Sequence, residues 1–384
     1  MTYARDRACY DADSHLMEHP DWLGEFADPE IRGELPSLLP HGAGGVDRLL
    51  EGIRKNLERV QDPQATAELA NDVMRSAKGW AAHGAMDSAE RSRTLDLLGF
   101  DGQLVFSTFA ILQVLSCKDP RVLYGAVRAH NRGMTAFCNS DERLLPVGLI
   151  PLTEPGAALA ALGEALEMGC AAIMVPSDAP GERSPAHVDF EPFWATLAAS
   201  GRPLMSHIGG GKLLAKRYHD NGRPLPNDWL GGGENLRSKD FPVIHHSPER
   251  FLGCLVLDGV FERHEDLRCG VIEQGAIWVP AMLHNLDHAA AQFGKSEPEL
   301  RKLSLSPSDY IRRQVKFTPF PFEDAGWLIQ QAGEELFLFS TDYPHPEGTR
   351  DPIGRFEASL GAAGVGAAAR ERFYAGNFTE MMRL

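Results

Sequence analysis

The chain has 384 residues, 43% hydrophobic and 24% charged, an ordinary composition for a globular protein with a large core. Its formal net charge of −15 argues against nucleic acid or an anionic membrane as partner, because both select basic surfaces. An anionic small molecule in a local pocket stays open.

Eight short apolar runs read as strands, at 9–13, 103–107, 145–150, 171–175, 203–207, 269–273, 315–318 and 336–341. Near-continuous apolar runs of this length suit strands covered on both faces of a parallel sheet. Helical patterns at 122–138, 155–168, 190–199 and 248–264 separate several of them. The second carries Ala158, Leu159, Leu162 and Leu166 as an apolar stripe and stops at Gly169, a suitable C-terminal cap. Strands alternating with helices predict an α/β fold, a (β/α)8 TIM barrel. One domain is expected over 1–384, with two insertions. The first, about 16–95, follows strand one and holds helical patterns at 46–60 and 65–83. The second, 209–247, follows strand five; it is Gly-rich and is expected to act as a lid.

The six cysteines form no C-x-x-C pair and are expected as buried thiols. No apolar run approaches 18 residues, so no membrane span is expected. Arg5, Asp6 and Arg7 lead into the first strand without a signal-peptide run, so a cytoplasmic location is expected.

Three strand-like runs end in metal-ligand residue types: Asp13 and His15 at strand one, His207 at strand five, Asp342 at strand eight. Alternate residues of a strand share a face, so Asp13 and His15 point the same way. In such barrels, functional residues gather at the C-terminal strand ends. Two imidazoles and two carboxylates there suit one divalent metal ion, zinc or manganese first and iron next. Strand four ends in Met174-Val175-Pro176-Ser177 and offers no lysine to bridge a second ion. Glu273, at the end of strand six, is a candidate general base or proton carrier, and Asp342 a second. His246 is a candidate proton shuttle. His245, Arg237 and Trp229 are candidate substrate contacts, and Trp22 and Phe109 candidate ring walls. His345 is placed to hydrogen-bond a ligand carboxylate.

Several segments together resemble the amidohydrolase superfamily. They are Asp11-Ala12-Asp13-Ser14-His15, then Glu18-His19-Pro20, and 98–106 (Leu-Gly-Phe-Asp-Gly-Gln-Leu-Val-Phe). Others are 143–147 (Arg-Leu-Leu-Pro-Val), 259–263 (Gly-Val-Phe-Glu-Arg), 273–275 (Glu-Gln-Gly) and 340–346 (Ser-Thr-Asp-Tyr-Pro-His-Pro). The branch resembled is that of aminocarboxymuconate semialdehyde decarboxylase and the non-oxidative aromatic acid decarboxylases. The resemblance implies metal ligation by Asp13, His15, His207 and Asp342, a homodimer, and loss of CO2 from a small carboxylated ring. The chain departs from the superfamily pattern twice. Asp-x-His stands where His-x-His is usual, and Glu273-Gln274 stand where the decarboxylases place a catalytic histidine. The expected function is a mononuclear metal-dependent carboxy-lyase. The alternatives are a hydrolase using metal-activated water on a cyclic amide or lactone, and a catalytically inactive binding barrel.

Overall fold

Buried apolar strands leave their backbone groups to be satisfied by neighbouring strands, and here each strand pairs with the next in the chain. A computed structural model describes residues 2–5, 7–38, 44–228 and 235–384. Seven parallel strands follow chain order: β1 (Tyr10–Leu16), β2 (Gly102–Ser107), β3 (Leu144–Leu149), β4 (Ala172–Met174), β5 (Leu204–His207), β6 (Cys269–Ile272) and β7 (Val315–Phe317). Leu104, Ile173, Leu204, Val271 and Phe317 on these strands are fully buried. Helices cover the outside. Pro120–Cys138 packs on β3; it starts with Pro at N1, and the Asp119 side chain accepts the Arg121 and Val122 N–H groups. This is the TIM-barrel type of α/β fold.

The segment 336–341 closes the barrel without forming a full strand. On one side it bridges β7, with Phe317 N–H donating to Leu336 O (2.8 Å) and Leu338 N–H to Phe317 O (2.9 Å). On the other it meets β1 through Ala12 N–H to Phe339 O (3.1 Å) and His15 N–H to Tyr343 O (2.7 Å). Between these contacts the ladder is interrupted by a side chain. Asp11 accepts both the Thr341 N–H (2.8 Å) and the Thr341 hydroxyl (2.6 Å). The register of β1 shifts between Asp11 and Ser14, and β1 runs on past Asp13 to include His15.

The first insertion differs from its expected pattern. Its described helices are Trp22–Phe26, Pro29–Arg32, Gly45–Val60, Pro63–Ala70 and Ser88–Leu98, so the helix expected over 65–83 ends at Ala70. Residues 79–81 form a 3-10 turn pinned to the barrel mouth. There Gly79 N–H donates to Pro344 O (2.8 Å) and Trp80 Nε1 to Glu18 O (2.9 Å). These bonds, one to the loop beyond Asp342 and one to the chain just after β1, replace the helix's own. In the second insertion the described residues are mostly irregular, with one short helix at Lys216–His219 and a 3-10 turn at Phe241–Val243. No helix of the described residues is long and apolar enough to cross a membrane.

Candidate metal centre and adjoining cavity

The end of β1 turns Asp13 and His15 inward, while Ser14 faces the other way and donates to Leu104 O (2.8 Å). His207 meets them from the end of β5. Glu273 and Asp342 follow β6 and the closing segment, and both have left-handed backbone, with φ +55° and +53°. That region is unfavourable for any residue with a Cβ and is retained where surrounding structure enforces it. Around Glu273 the enforcing contact is its N–H donated to Thr318 Oγ1 (2.9 Å). Around Asp342 it is the Asp11 hold on Thr341.

The tautomers of the two histidines follow from their neighbours. His207 Nδ1 lies 2.8 Å from Ile208 O, and His15 Nδ1 lies 3.3 Å from Ser107 O. A carbonyl oxygen only accepts, so each ring places its proton on Nδ1 and turns the Nε2 lone pair inward. Burial also pulls the His15 pKa down to about 3, with further lowering from His345, so its ring is neutral. Both Nε2 atoms face Asp13 Oδ1, at 3.2 Å from His15 and 3.3 Å from His207. His15 Nε2 is also 3.4 Å from Asp342 Oδ1, and His207 Nε2 is 3.4 Å from Glu273 Oε2. His15 Nε2 and Asp342 Oδ1 are buried and make no hydrogen bond.

Lone pairs and carboxylate oxygens aimed at one another in a buried space repel unless a cation lies among them. One ligand atom each from Asp13, His15, His207 and Glu273 lies within 4.8 Å of all the others, and the same holds for His15, Glu273, Asp342 and His345. Without an ion, burial and the charge of Asp13 hold the Asp342 carboxyl well above the ordinary range, in the direction a bound cation would reverse. The nitrogen and oxygen donor set could therefore hold a single divalent metal ion.

His345 stacks on His15 with ring centroids 3.9 Å apart. The Thr108 hydroxyl is donated to Leu16 O (2.9 Å), so it accepts from His345 Nε2 (2.9 Å). His345 Nδ1 then lies 2.7 Å from Asp342 Oδ1. The structure thus brings together Asp13, His15, His207, Glu273, Asp342 and His345.

It does not bring His245, His246 or Arg237 to them. His245 stacks on Trp278 (5.3 Å), and burial, then His246, pulls its pKa down to about 4. His246 is exposed at the start of the helix His246–Leu257, whose Ser247 and Pro248 take the inward positions. The Arg237 guanidinium is held by Asp228, through its backbone oxygen and carboxylate. Trp229 lies outside the described residues. Trp22 and Phe109 are buried packing residues, against Phe26 and Trp80 respectively.

Sequence reasoning missed the cavity beside the cluster. Asp13, Glu273 and Asp342 line one end, and Phe241, Phe320, Phe322, Leu236, Pro319 and Pro321 wall the rest. The signal was the run Thr318-Pro319-Phe320-Pro321-Phe322 directly after β7, where a barrel strand delivers its loop to the mouth. Also missed was Arg91, fully buried behind the centre and donating to His15 O (2.5 Å) and Gly84 O (2.7 Å).

The Amidohydrolase family profile matches residues 109–384, more than half of the chain. The chain belongs to the amidohydrolase family. It is thereby an enzyme of that family, a metal-dependent lyase or hydrolase. No curated protein matches it. Among solved structures it is similar to an amidohydrolase from Mycobacterium avium subsp. paratuberculosis, with TM-score 0.71, 19% identity and 98% of each chain covered. It is also similar to 5-carboxyvanillate decarboxylase from Sphingomonas paucimobilis, with TM-score 0.62, 16% identity, and 99% of this chain and 100% of that one covered. A third is dihydroxybenzoic acid decarboxylase from a Polaromonas species, solved with bound manganese and 2-nitroresorcinol; TM-score 0.61, 16% identity, 98% and 97% covered. At these identities the likeness speaks for the fold of this amidohydrolase.

The purified protein is expected to carry about one equivalent of divalent metal per chain and to lose it on His207→Ala or Asp342→Ala. Elemental analysis checks this. Two equivalents per chain, or one that survives both substitutions, would contradict the ligand set.

Proposed function

We propose that this amidohydrolase is a carboxy-lyase that removes CO2 from a small aromatic acid. One observation carries the reading: the buried group of three imidazoles and three carboxylates opens onto a cavity walled by phenylalanines, leucine and prolines. Decarboxylases of aromatic acids, one of them with manganese, share the fold. Asp13, His15, His207 and Asp342 would hold the ion, which supplies positive charge to bind and polarise substrate oxygens. The phenylalanine walls hold the ring and keep water from it. Glu273, in its acid form, delivers its proton to the ring carbon that bears the carboxylate. The ring supplies the electron pair for the new C–H bond. The C–C bond to the carboxylate then breaks, its pair restores the aromatic ring, and CO2 leaves. Glu273 is left as carboxylate and regains a proton from water.

A panel of hydroxybenzoates, aminobenzoates and cyclic amides tests this in deuterated and in oxygen-labelled water. The expected result is CO2 release with deuterium at the vacated ring carbon. Labelled oxygen in the product without CO2 would establish the hydrolase instead.

A further inference from the structure

The cavity beside the metal centre opens to solvent between aromatic rings. Its volume is about 140 Å³. An apolar cavity of roughly 150 Å³ accommodates one benzene, so the enclosed part suits one six-membered ring. The apolar wall continues past the enclosure. Phe320 is partly buried, Phe241 is 41% exposed and Phe322 is 58% exposed. The three rings make one surface. Phe320 stacks on Phe322 with centroids 5.2 Å apart and planes 11° apart, and Phe241 lies 5.6 Å from each. An isolated exposed apolar side chain is ordinary, but a contiguous exposed patch that prolongs a cavity marks a binding surface.

The surface is fixed in advance of any ligand. The Glu323 carboxylate accepts the N–H groups of Phe320 (2.7 Å), Ala276 (2.9 Å) and Ile277 (3.0 Å), which ties the loop of Phe320 and Phe322 to the loop after β6. A Cβ on Gly275 would lie 3.0 Å from the Phe320 ring, so the backbone there packs directly on it. Across the opening, Asp240 accepts the Arg237 N–H (3.0 Å) and lies 3.1 Å from His219 Nε2, beside the turn that presents Phe241. Groups held in place before binding lose little freedom when they are covered, so the apolar area they bury goes into affinity.

The order of groups along the cavity then describes the ligand. Its carboxylate belongs with the cluster at the Asp13, Glu273 and Asp342 end, and its ring fills the enclosed part. What reaches Phe241 and Phe322 is whatever the ring carries on its far side. Phenylalanine faces offer a polar substituent no strong hydrogen bond in exchange for its water.

We infer that the substrate carries an apolar substituent, a second ring or a group of similar size, on the side of its ring away from the carboxylate, and that Phe241 and Phe322 select it. This deepens the carboxy-lyase reading and rests on it.

Calorimetric titration of the manganese-loaded protein reads the inference through binding, without turnover. The probes are 2-hydroxybenzoate and its 4-phenyl and 5-phenyl derivatives. At least one phenyl acid is expected to bind about 10-fold or more tightly than the parent. That ratio is about 1.4 kcal/mol, which about 56 Å² of apolar area supplies, well below what one aromatic side chain can bury. Phe322→Ala and Phe241→Ala, on two different segments, should each bring the ratio down at least about 3-fold. Equal or weaker binding of both phenyl acids overturns the inference and leaves the carboxy-lyase reading standing. So does a tenfold ratio that neither alanine lowers. Sedimentation showing a dimer that Phe322→Ala dissociates would assign these rings to a second copy of the chain and overturn it as well. Binding of 5-phenylhydantoin with no binding of any of the acids removes the carboxy-lyase reading, and the inference falls with it.

Discussion

Glu273→Gln is expected to lower turnover by about 100-fold or more, the usual scale for a positioned acid or base, while fold and metal content stay as they are. The structure makes this a clean substitution. Glutamine keeps the length and shape of the side chain. The bond that fixes the residue uses its backbone N–H, donated to Thr318 Oγ1 at 2.9 Å, so the amide leaves it in place. The strain of φ +55° is common to both residues and cancels in the comparison. What changes is the proton. A carboxyl group can deliver one to the ring carbon and recover it, and a carboxamide cannot. The alternative role is purely positional, with Glu273 Oε2 facing His207 Nε2 at 3.4 Å. In that case the substitution should shift metal occupancy and leave turnover per bound metal within a few-fold of the unaltered enzyme. Turnover normalised to elemental analysis separates the two, and a near-normal normalised rate would remove Glu273 from the chemistry.

The strands were legible because burial on both faces forces apolar runs, and β2 through β7 lie on the runs that predicted them within one or two residues. Asp13, His15, His207 and Asp342 were legible for a related reason: charged or imidazole side chains that end such runs stand out against them. The closing segment was harder. Its composition is that of a strand, yet Asp11 takes the Thr341 N–H that a ladder would use, and a side chain acting as backbone partner leaves no periodic trace. His245 and His246 show the opposite failure. Two adjacent histidines at a loop end suggest chemistry, but the helix they open turns Ser247 and Pro248 inward and leaves His246 in solvent. The phenylalanine walls come from β7's loop and from the second insertion, two segments 75 or more residues apart in the chain for Phe241 and Phe320. Nothing local to either segment announces the other.

Gly348→Ala is expected to disable the centre although residue 348 bears no functional group. Glycine here is not a matter of dihedral freedom, since its φ is not in the left-handed region. The constraint is space. A Cβ on Gly348 would lie 2.0 Å from Thr341 O and 2.9 Å from the Asp342 Cβ. The first atom is backbone, locked by Asp11 on the same residue, so it cannot swing aside. The turn Pro346–Gly348 must then retreat, and His345, Asp342 and Glu347 are all within six residues of it in one tight loop. Overpacking of this kind typically costs about 1–3 kcal/mol, and a displacement on the order of 1 Å at a ligand is enough to lose roughly 100-fold in rate. The control is Gly163→Ala, in the middle of the helix Pro155–Met168, where a Cβ meets nothing within 4 Å. There the change should stabilise by about 0.5–1 kcal/mol through helix propensity alone, with activity untouched. Denaturant midpoints and metal content of both variants check the contrast. A Gly348→Ala protein with full metal and normal turnover would mean that the loop carrying Asp342 yields more readily than its contacts imply.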